Sequence, residues 1–380
     1  MNAGFDAKRI FFNETGLGNY SRTLVRLLKN HYSSNNYYLF SPPIHGKKPL
    51  VHKEEFSDVN IIEPDSFVDR LFSYRWRRST MTRDLSRYNL DIFHGLSHEI
   101  PLGIEKTNIK SIVTIHDLIF LKFPELYKPW DVYYYKKKYQ DSCYRADAII
   151  AISENTKKDI MELLGIPSKK IHVIYQSAGS SFYQKIKEED MERVRRIYNL
   201  KQPYLLYVGA LNKRKNLMPL VKSISWLKTG PKKINIQLYI VGSGSEKKNL
   251  ENYAREQNVS DQVFFLSQIS GRDLPALYSG AKIFVYPSIY EGFGIPIIES
   301  LLCKTPVIVS RASCFPETAG EGAVYADVSS FESLAESIEY LLDDKNNKKI
   351  ARAGMRHAQK FSEKKFVENT FNLYKKIITG

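Results

Sequence analysis

Two patterns of apolar residues alternate along the chain. Short uninterrupted apolar runs recur at AGF near residue 3, YYLF at 37, VNII at 59, DIFH at 91, SIVTI at 111 and AIIAI at 148. The series restarts with YLLYV at 204, IQLYIV at 236, QVFFL at 262, KIFVY at 282, PVIVS at 306 and AVYA at 323. Between them, segments such as SRTLVRLLKNHY and ESLAESIEYLLDD place apolar residues at i, i+3, i+4 and i+7, the spacing of amphipathic helices. Strand and helix in this alternation predict parallel sheets covered on both faces. Two series predict two doubly wound α/β domains. The break is expected near 175 to 200, where the turn-rich YQSAGSSFYQ precedes a charged helical segment, KEEDMERVRRIY. The expected domains are 1–178 and 179–362, with 363–380 as a C-terminal helix returning to the N-terminal domain. Ligands of open parallel sheets sit beyond the carboxyl ends of the strands, so the two domains are expected to face an interdomain cleft, with motifs just after strands.

The segment YPSIYEGFGIPIIESLLCKTPVIVS, from Tyr286 to Ser310, is the most informative. Strand KIFVY ends at a loop whose Gly292 and Gly294 allow close backbone approach, and a helix then opens with Pro296 in its first turn. Free N–H groups at such a helix start suit a phosphate, while Glu291 and Glu299 offer carboxylates to vicinal sugar hydroxyls. A helix cap with a dipole-pairing Glu accounts for one acidic residue but not for two glycines and a second Glu.

EGFGIPIIE, from Glu291 to Glu299, resembles the E-x7-E signature of the retaining glycosyltransferases of family 4. Other segments extend the resemblance over essentially the whole chain. TGLGNYSRTLV is similar to the family's N-terminal glycine loop, SIVTIHDLIF to its His-Asp segment and AISENTKKDI to its Ser-Glu helix start. YVGALNKRKNLMPLV is similar to the Arg-Lys-Asn donor motif, IVGSGSEKKNL to the second Gly-rich turn and SCFPETAGEGAVYAD to the closing strand. The resemblance implies the GT-B architecture of two Rossmann-like domains, and transfer of a sugar from a nucleotide-sugar donor to a hydroxyl with retained anomeric configuration. It implies catalytic roles for His116, Arg214, Lys215 and Glu291, and donor contacts from Gly16, Gly18, Arg214, Lys215, Gly292, Phe293, Gly294 and Glu299. A donor such as a GDP- or UDP-linked hexose is expected, with a glycan or lipid-linked acceptor of polysaccharide or glycolipid biosynthesis.

Each implied role has a physical counterpart. Gly16 and Gly18 at a strand-to-helix turn fit either an ordinary tight turn or N–H groups offered to a diphosphate. NYSRTL lacks the third glycine of the dinucleotide fingerprint, which demotes NAD. Arg214 and Lys215 fit two cations facing a leaving diphosphate. Family members carry another Arg nearer the strand, where Ala210 stands here, and a glycine where Cys303 and Lys304 precede Thr305. His116 follows strand SIVTI at the position that points at the transferred sugar. His94 and His98, after strand DIFH, fit either packing or an acceptor-side surface.

No two Asp residues are spaced as DxD, the metal-holding arrangement of single-domain sugar transferases, so metal-independent chemistry is expected, with no cofactor beyond the donor. A phosphorylase or a glycogen- or sucrose-type synthase on the same fold is the nearest alternative. A phosphorylase needs a lysine-bound pyridoxal phosphate, and no lysine is marked for it. The 380 residues carry a net charge of +15, which favours anionic partners. The excess is spread over both halves, unlike a nucleic-acid-binding arm, so no nucleic acid is expected. Locally, Arg70 to Arg87 interleaves arginines with Phe72, Tyr74 and Trp76, and YYYKKKYQ spans 133 to 140. Either is a solvated helix face, packing Leu71, Trp76 and Leu85 inward in the first case, or a surface for anionic lipid. Three cysteines, no apolar run of membrane-spanning length and no secretory pattern lead to an expected cytoplasmic location, peripheral at the inner membrane face where lipid is contacted.

Overall fold

The computed structural model describes residues 1–44, 53–56, 58–267 and 269–380. The chain divides into two compact units, 1–177 with 363–380, and 178–362. In the first, seven strands form a wholly parallel sheet: β1 (Asn2–Asp6), β2 (Asn36–Phe40), β3 (Asn60–Ile62), β4 (Ile92–Gly95), β5 (Lys110–Ile115), β6 (Ala148–Ala151) and β7 (Ile171–Val173). Their spatial order is β3-β2-β1-β4-β5-β6-β7. The second unit repeats the plan with β8 (Tyr204–Val208), β9 (Gln237–Val241), β10 (Val263–Leu266), β11 (Ile283–Tyr286), β12 (Val307–Val309) and β13 (Ala323–Tyr325), in the order β10-β9-β8-β11-β12-β13. Each order reverses once, between β1 and β4 and between β8 and β11. Those reversals are the switch points where parallel sheets open toward ligands.

Burial explains why the central strands read as continuous apolar runs. Every residue of β4, β6 and β11 is buried, as expected of strands covered on both faces. Each predicted run became a strand; β7 was not foreseen. It is a three-residue edge strand pairing Ile171 with Ile149 and His172 with Ile150, too short and too polar to stand out from its flanks.

The helix Glu363–Thr379 packs into the first unit rather than the second. Tyr32 stacks on Phe371 with ring centroids 3.7 Å apart, Phe366 meets Tyr20, and buried Tyr374 bonds His94. Trp76 and Leu85 are buried as expected of a packed helix, whereas Leu71 is 66% exposed.

Candidate active site

In the second unit, β8 and β9 leave the sheet through glycines. Gly209, Gly242 and Gly244 take φ of +153°, +140° and +156°. A side chain on Gly242 would bring a Cβ to 2.0 Å from the Gly209 carbonyl oxygen, and one on Gly244 to 2.2 Å from that of Leu211. The loops are therefore laid backbone on backbone. The Gly209 N–H donates to Val241 O at 3.0 Å and the Leu211 N–H to Ser243 O at 2.9 Å, extending the parallel ladder past the strands. This fixes the origin of a 3₁₀ turn, Lys213–Lys215, capped by Asn212, whose side chain accepts the Lys215 N–H at 3.3 Å.

That turn places Arg214 and Lys215 against the loop after β11. Buried Lys215 donates from Nζ to Glu291 Oε1 and to the Tyr286 hydroxyl, both at 2.5 Å. Arg214 lies 2.6 Å from the same Oε1 and also donates to the Tyr290 carbonyl, and Ser288 donates to Oε1 at 2.6 Å. Burial pushes the Glu291 carboxyl up, but Lys215 and Arg214 outweigh it and hold the group below its ordinary value, ionised. Burial pulls the Lys215 ammonium down, with Glu291 opposing. Two cations share one carboxylate, so one net positive charge remains at the β8–β11 switch point.

The loop is clamped from its other side by the segment after β12. Ser313 accepts the Glu291 N–H at 3.1 Å and donates to the Glu291 carbonyl at 2.7 Å. Gly294, at φ +87°, caps the helix Ile295–Leu302 in a conformation an L side chain rarely takes. Gly292 is buried within the loop. The Phe293 ring is buried and packs edge-on against Phe361 at 5.5 Å, which anchors the loop. Glu299, half-buried, accepts from the Tyr278 hydroxyl at 3.0 Å. Burial raises its carboxyl to about 7, the Tyr278 bond opposing.

In the first unit, Asn13 organises the glycine turn, its Oδ1 accepting from the N–H groups of Thr15 (3.1 Å) and Gly18 (2.9 Å). A Cβ on Gly18 would lie 1.8 Å from the Asn13 carbonyl oxygen. The expectation of exposed amides is thus corrected at Gly18: its N–H is taken, and glycine is required there for close approach. Gly16 starts the helix Gly16–His31 with open space beside it.

His116 is buried at the end of β5 and donates from Nε2 to the Leu96 carbonyl at 2.9 Å, which fixes the proton there and leaves Nδ1 as an acceptor. Burial lowers its pKa to about 4, so the ring is neutral. His98 takes φ +66°, stacks on Tyr139 at 4.4 Å and holds its ring 5.3 Å from that of His116; its buried Nδ1 has no hydrogen-bond partner among the described residues. His94 is a correction. Its ring bonds Tyr374 (2.6 Å) through Nδ1 and Thr114 (2.7 Å) through Nε2 in full burial, so nothing of it remains for an acceptor. Packing is what the pair's spacing expressed there.

The residues that sequence reasoning passed over are supports: Tyr286, Ser288 and Ser313 around Glu291, Tyr278 on Glu299, and Asn13 under the glycine turn. Tyr286 and Ser288 lay inside the motif already singled out. Ser313, Tyr278 and Asn13 carry no local signal, because the contact that matters is made across the fold.

Comparison with known proteins identifies the chain's relatives. The family described as Glycosyltransferase Family 4 matches residues 15–177, and the one described as Glycosyl transferases group 1 matches residues 189–359. The chain is 28% identical to the O-antigen chain mannosyltransferase B of Escherichia coli, over 99% of this chain and 100% of that one. It is 32% identical to the O-antigen chain mannosyltransferase RfbU of Salmonella typhimurium, over 65% and 64% of the two chains. Among solved structures, Anabaena Alr3699/HepE in complex with UDP and glucose superposes with a TM-score of 0.78 at 17% identity, covering 99% of this chain and 100% of that one. The last likeness is one of fold.

Proposed function

The chain belongs to glycosyltransferase family 4, acting in glycosyl transfer for polysaccharide biosynthesis, and from that premise we propose that it moves a mannosyl residue from a nucleotide-linked mannose to a hydroxyl of a growing glycan or lipid-linked acceptor, retaining configuration without a metal ion. The mannosyl choice is supported by the two bacterial relatives, both named mannosyltransferases. The nucleotide-linked donor is supported by the HepE structure, which holds UDP and glucose.

The observation that carries the reading is the Arg214–Glu291–Lys215 cluster. As the glycosidic bond breaks, negative charge grows on the departing diphosphate. A preorganised, mostly buried cation pair stabilises that charge without reorganising. Glu291 holds both cations in place through Oε1 while leaving one positive charge uncompensated. Glu299 accepts the ribose hydroxyls; in the first unit, neutral His116 keeps Nδ1 as an acceptor for a hydroxyl. The acceptor hydroxyl attacks from the face that the diphosphate leaves, and a donor phosphate oxygen takes its proton, so no protein nucleophile is needed. The missing DxD favours cationic side chains over a divalent ion for the leaving group.

Incubation with GDP-mannose, UDP-glucose and related donors, with the product's anomeric coupling read by NMR, tests the reading. Retained configuration and turnover that survives EDTA are expected. An inverted product, or activity lost in EDTA and restored by magnesium or manganese, overturns the corresponding part.

A further inference from the structure

The helical stretch after β3, comprising Phe67–Leu71, Ser73–Arg75, Trp76–Thr80 and Met81–Leu85, is inverted at its start. Asp69 is buried, accepting from the Thr80 hydroxyl at 2.9 Å, while Phe67 is 79% exposed and Leu71, Phe72 and Tyr74 are exposed with it. Phe67 and Leu71 lie one turn apart in the first of these helices, and the chain breaks at Phe72, φ −103° and ψ 53°, before Tyr74. The helix Pro129–Arg145 presents an exposed face, with Trp130 80% exposed and Tyr133, Tyr134 and Lys137 exposed at helical spacing after it. The fold brings the two together. The Tyr74 and Tyr134 hydroxyls are hydrogen-bonded, and Arg78 donates to the Tyr134 hydroxyl at 3.0 Å.

Exposed aromatic and aliphatic side chains gathered in this way mark an interaction surface in a folded protein. The charges around it say of what kind. Arg70, Arg75, Lys128, Lys136 and Lys137 are exposed along the two segments, with exposed carboxylates only on their flanks, at Asp65 and Glu125, and a half-buried one at Asp131, so among the described residues cations are in excess. Arg77 does not contribute, since it is consumed in a buried ion pair with Asp6. Aromatic rings that settle at the headgroup boundary, ringed by cations, complement an anionic bilayer. Among the described residues no helix is long and apolar enough to cross a membrane, so contact of this kind is made from the side.

We propose that the joined surface of Phe67, Leu71, Phe72, Tyr74, Trp130 and Tyr133 docks the N-terminal unit onto an anionic lipid surface. Its second helix runs directly to the acceptor side: Lys138 pairs with Glu99 at 2.8 Å and Tyr139 stacks on His98, which neighbours His116. Docking here presents His98 to an acceptor held in the same membrane.

Co-sedimentation with phosphatidylcholine vesicles, with and without phosphatidylglycerol, tests the proposal. Binding to the anionic vesicles alone is expected, weakened by salt. Leu71→Ser with Trp130→Ser lowers it by more than about tenfold, and Lys136→Glu with Lys137→Glu removes the preference for anionic lipid. The blue shift of tryptophan emission on vesicle binding disappears in Trp130→Phe, because Trp76 is already buried and Trp226 belongs to the second unit, away from the docking residues. Melting temperature and turnover on a water-soluble acceptor stay unchanged in all of these variants, which separates failure of docking from failure of the transferase reading. Equal recovery in the supernatant with and without anionic lipid overturns the proposal, as does a wild-type dimer that the Leu71/Trp130 variant dissociates.

Discussion

Replacing Glu291 by Gln keeps the shape of the side chain and removes the carboxylate that Lys215 and Arg214 share. At an effective dielectric near 20, a unit pair 2.5 Å apart attracts by about 7 kcal/mol before desolvation is counted. Desolvation offsets part of this, and removing one member of a buried pair typically destabilises by about 3–5 kcal/mol, because the other is left charged and dry. With Arg214 also released, Glu291→Gln is expected to fall in that range. A loss so large threatens folding itself, since total stability is of order 5–15 kcal/mol. The double variant Glu291→Gln/Lys215→Met is therefore measured beside both single variants by chemical denaturation. It removes the stranded ammonium, so its loss is expected to be smaller than the sum of the two single losses by at least about 1 kcal/mol. Calorimetry with a nucleoside diphosphate adds the functional arm. Glu291→Gln raises the cluster's net positive charge, so diphosphate affinity holds or rises while turnover drops. Additive losses in the denaturation cycle, or a nucleotide affinity that collapses with Glu291, refute the argument that this residue acts through the two cations.

Glu299 titrates near neutrality, and the sign is definite. Its folded pKa, about 7, lies above the ordinary 4.5, so the stability it contributes is complete below pH 4.5 and is lost as pH rises through about 7. Ribose hydroxyls donate to the ionised form, so nucleotide affinity by calorimetry rises across the same window; Glu299→Gln flattens that dependence and weakens binding by roughly 1.5–3 kcal/mol. Lys304 follows the helix Ile295–Leu302 at φ +58°, the left-handed conformation a glycine takes freely. Lys304→Gly is expected to raise stability by about 0.5–1 kcal/mol in urea denaturation, and a loss of stability contradicts the strain. Tyr374→Phe leaves His94 Nδ1 unpaired in the core and costs about 1–3 kcal/mol, with hydrogen exchange rising first in the helix Glu363–Thr379.

What was legible in the sequence follows from where the constraint lies. Central strands buried on both faces must be apolar throughout, so AIIA and IFVY declare themselves, while β7 at a sheet edge is held by pairing with β6 and shows little in composition. Glycines whose Cβ would strike backbone are legible for the same reason, since only one residue type fits. The histidines show the limit. His94, His98 and His116 look alike in FHGLSHE and TIHD, and they differ only in what the fold sets against each ring nitrogen. His94 meets a hydroxyl on both sides, one of them from Tyr374, so far along the chain that no local pattern contains it. His116 meets a carbonyl on one side, and the buried Nδ1 of His98 has no hydrogen-bond partner among the described residues. A buried imidazole with an unspent nitrogen stays costly until a ligand hydroxyl or amide reaches it. That cost, set by contacts across the sheet rather than by spacing, makes His98 the residue to examine on the acceptor side and leaves His94 to the core.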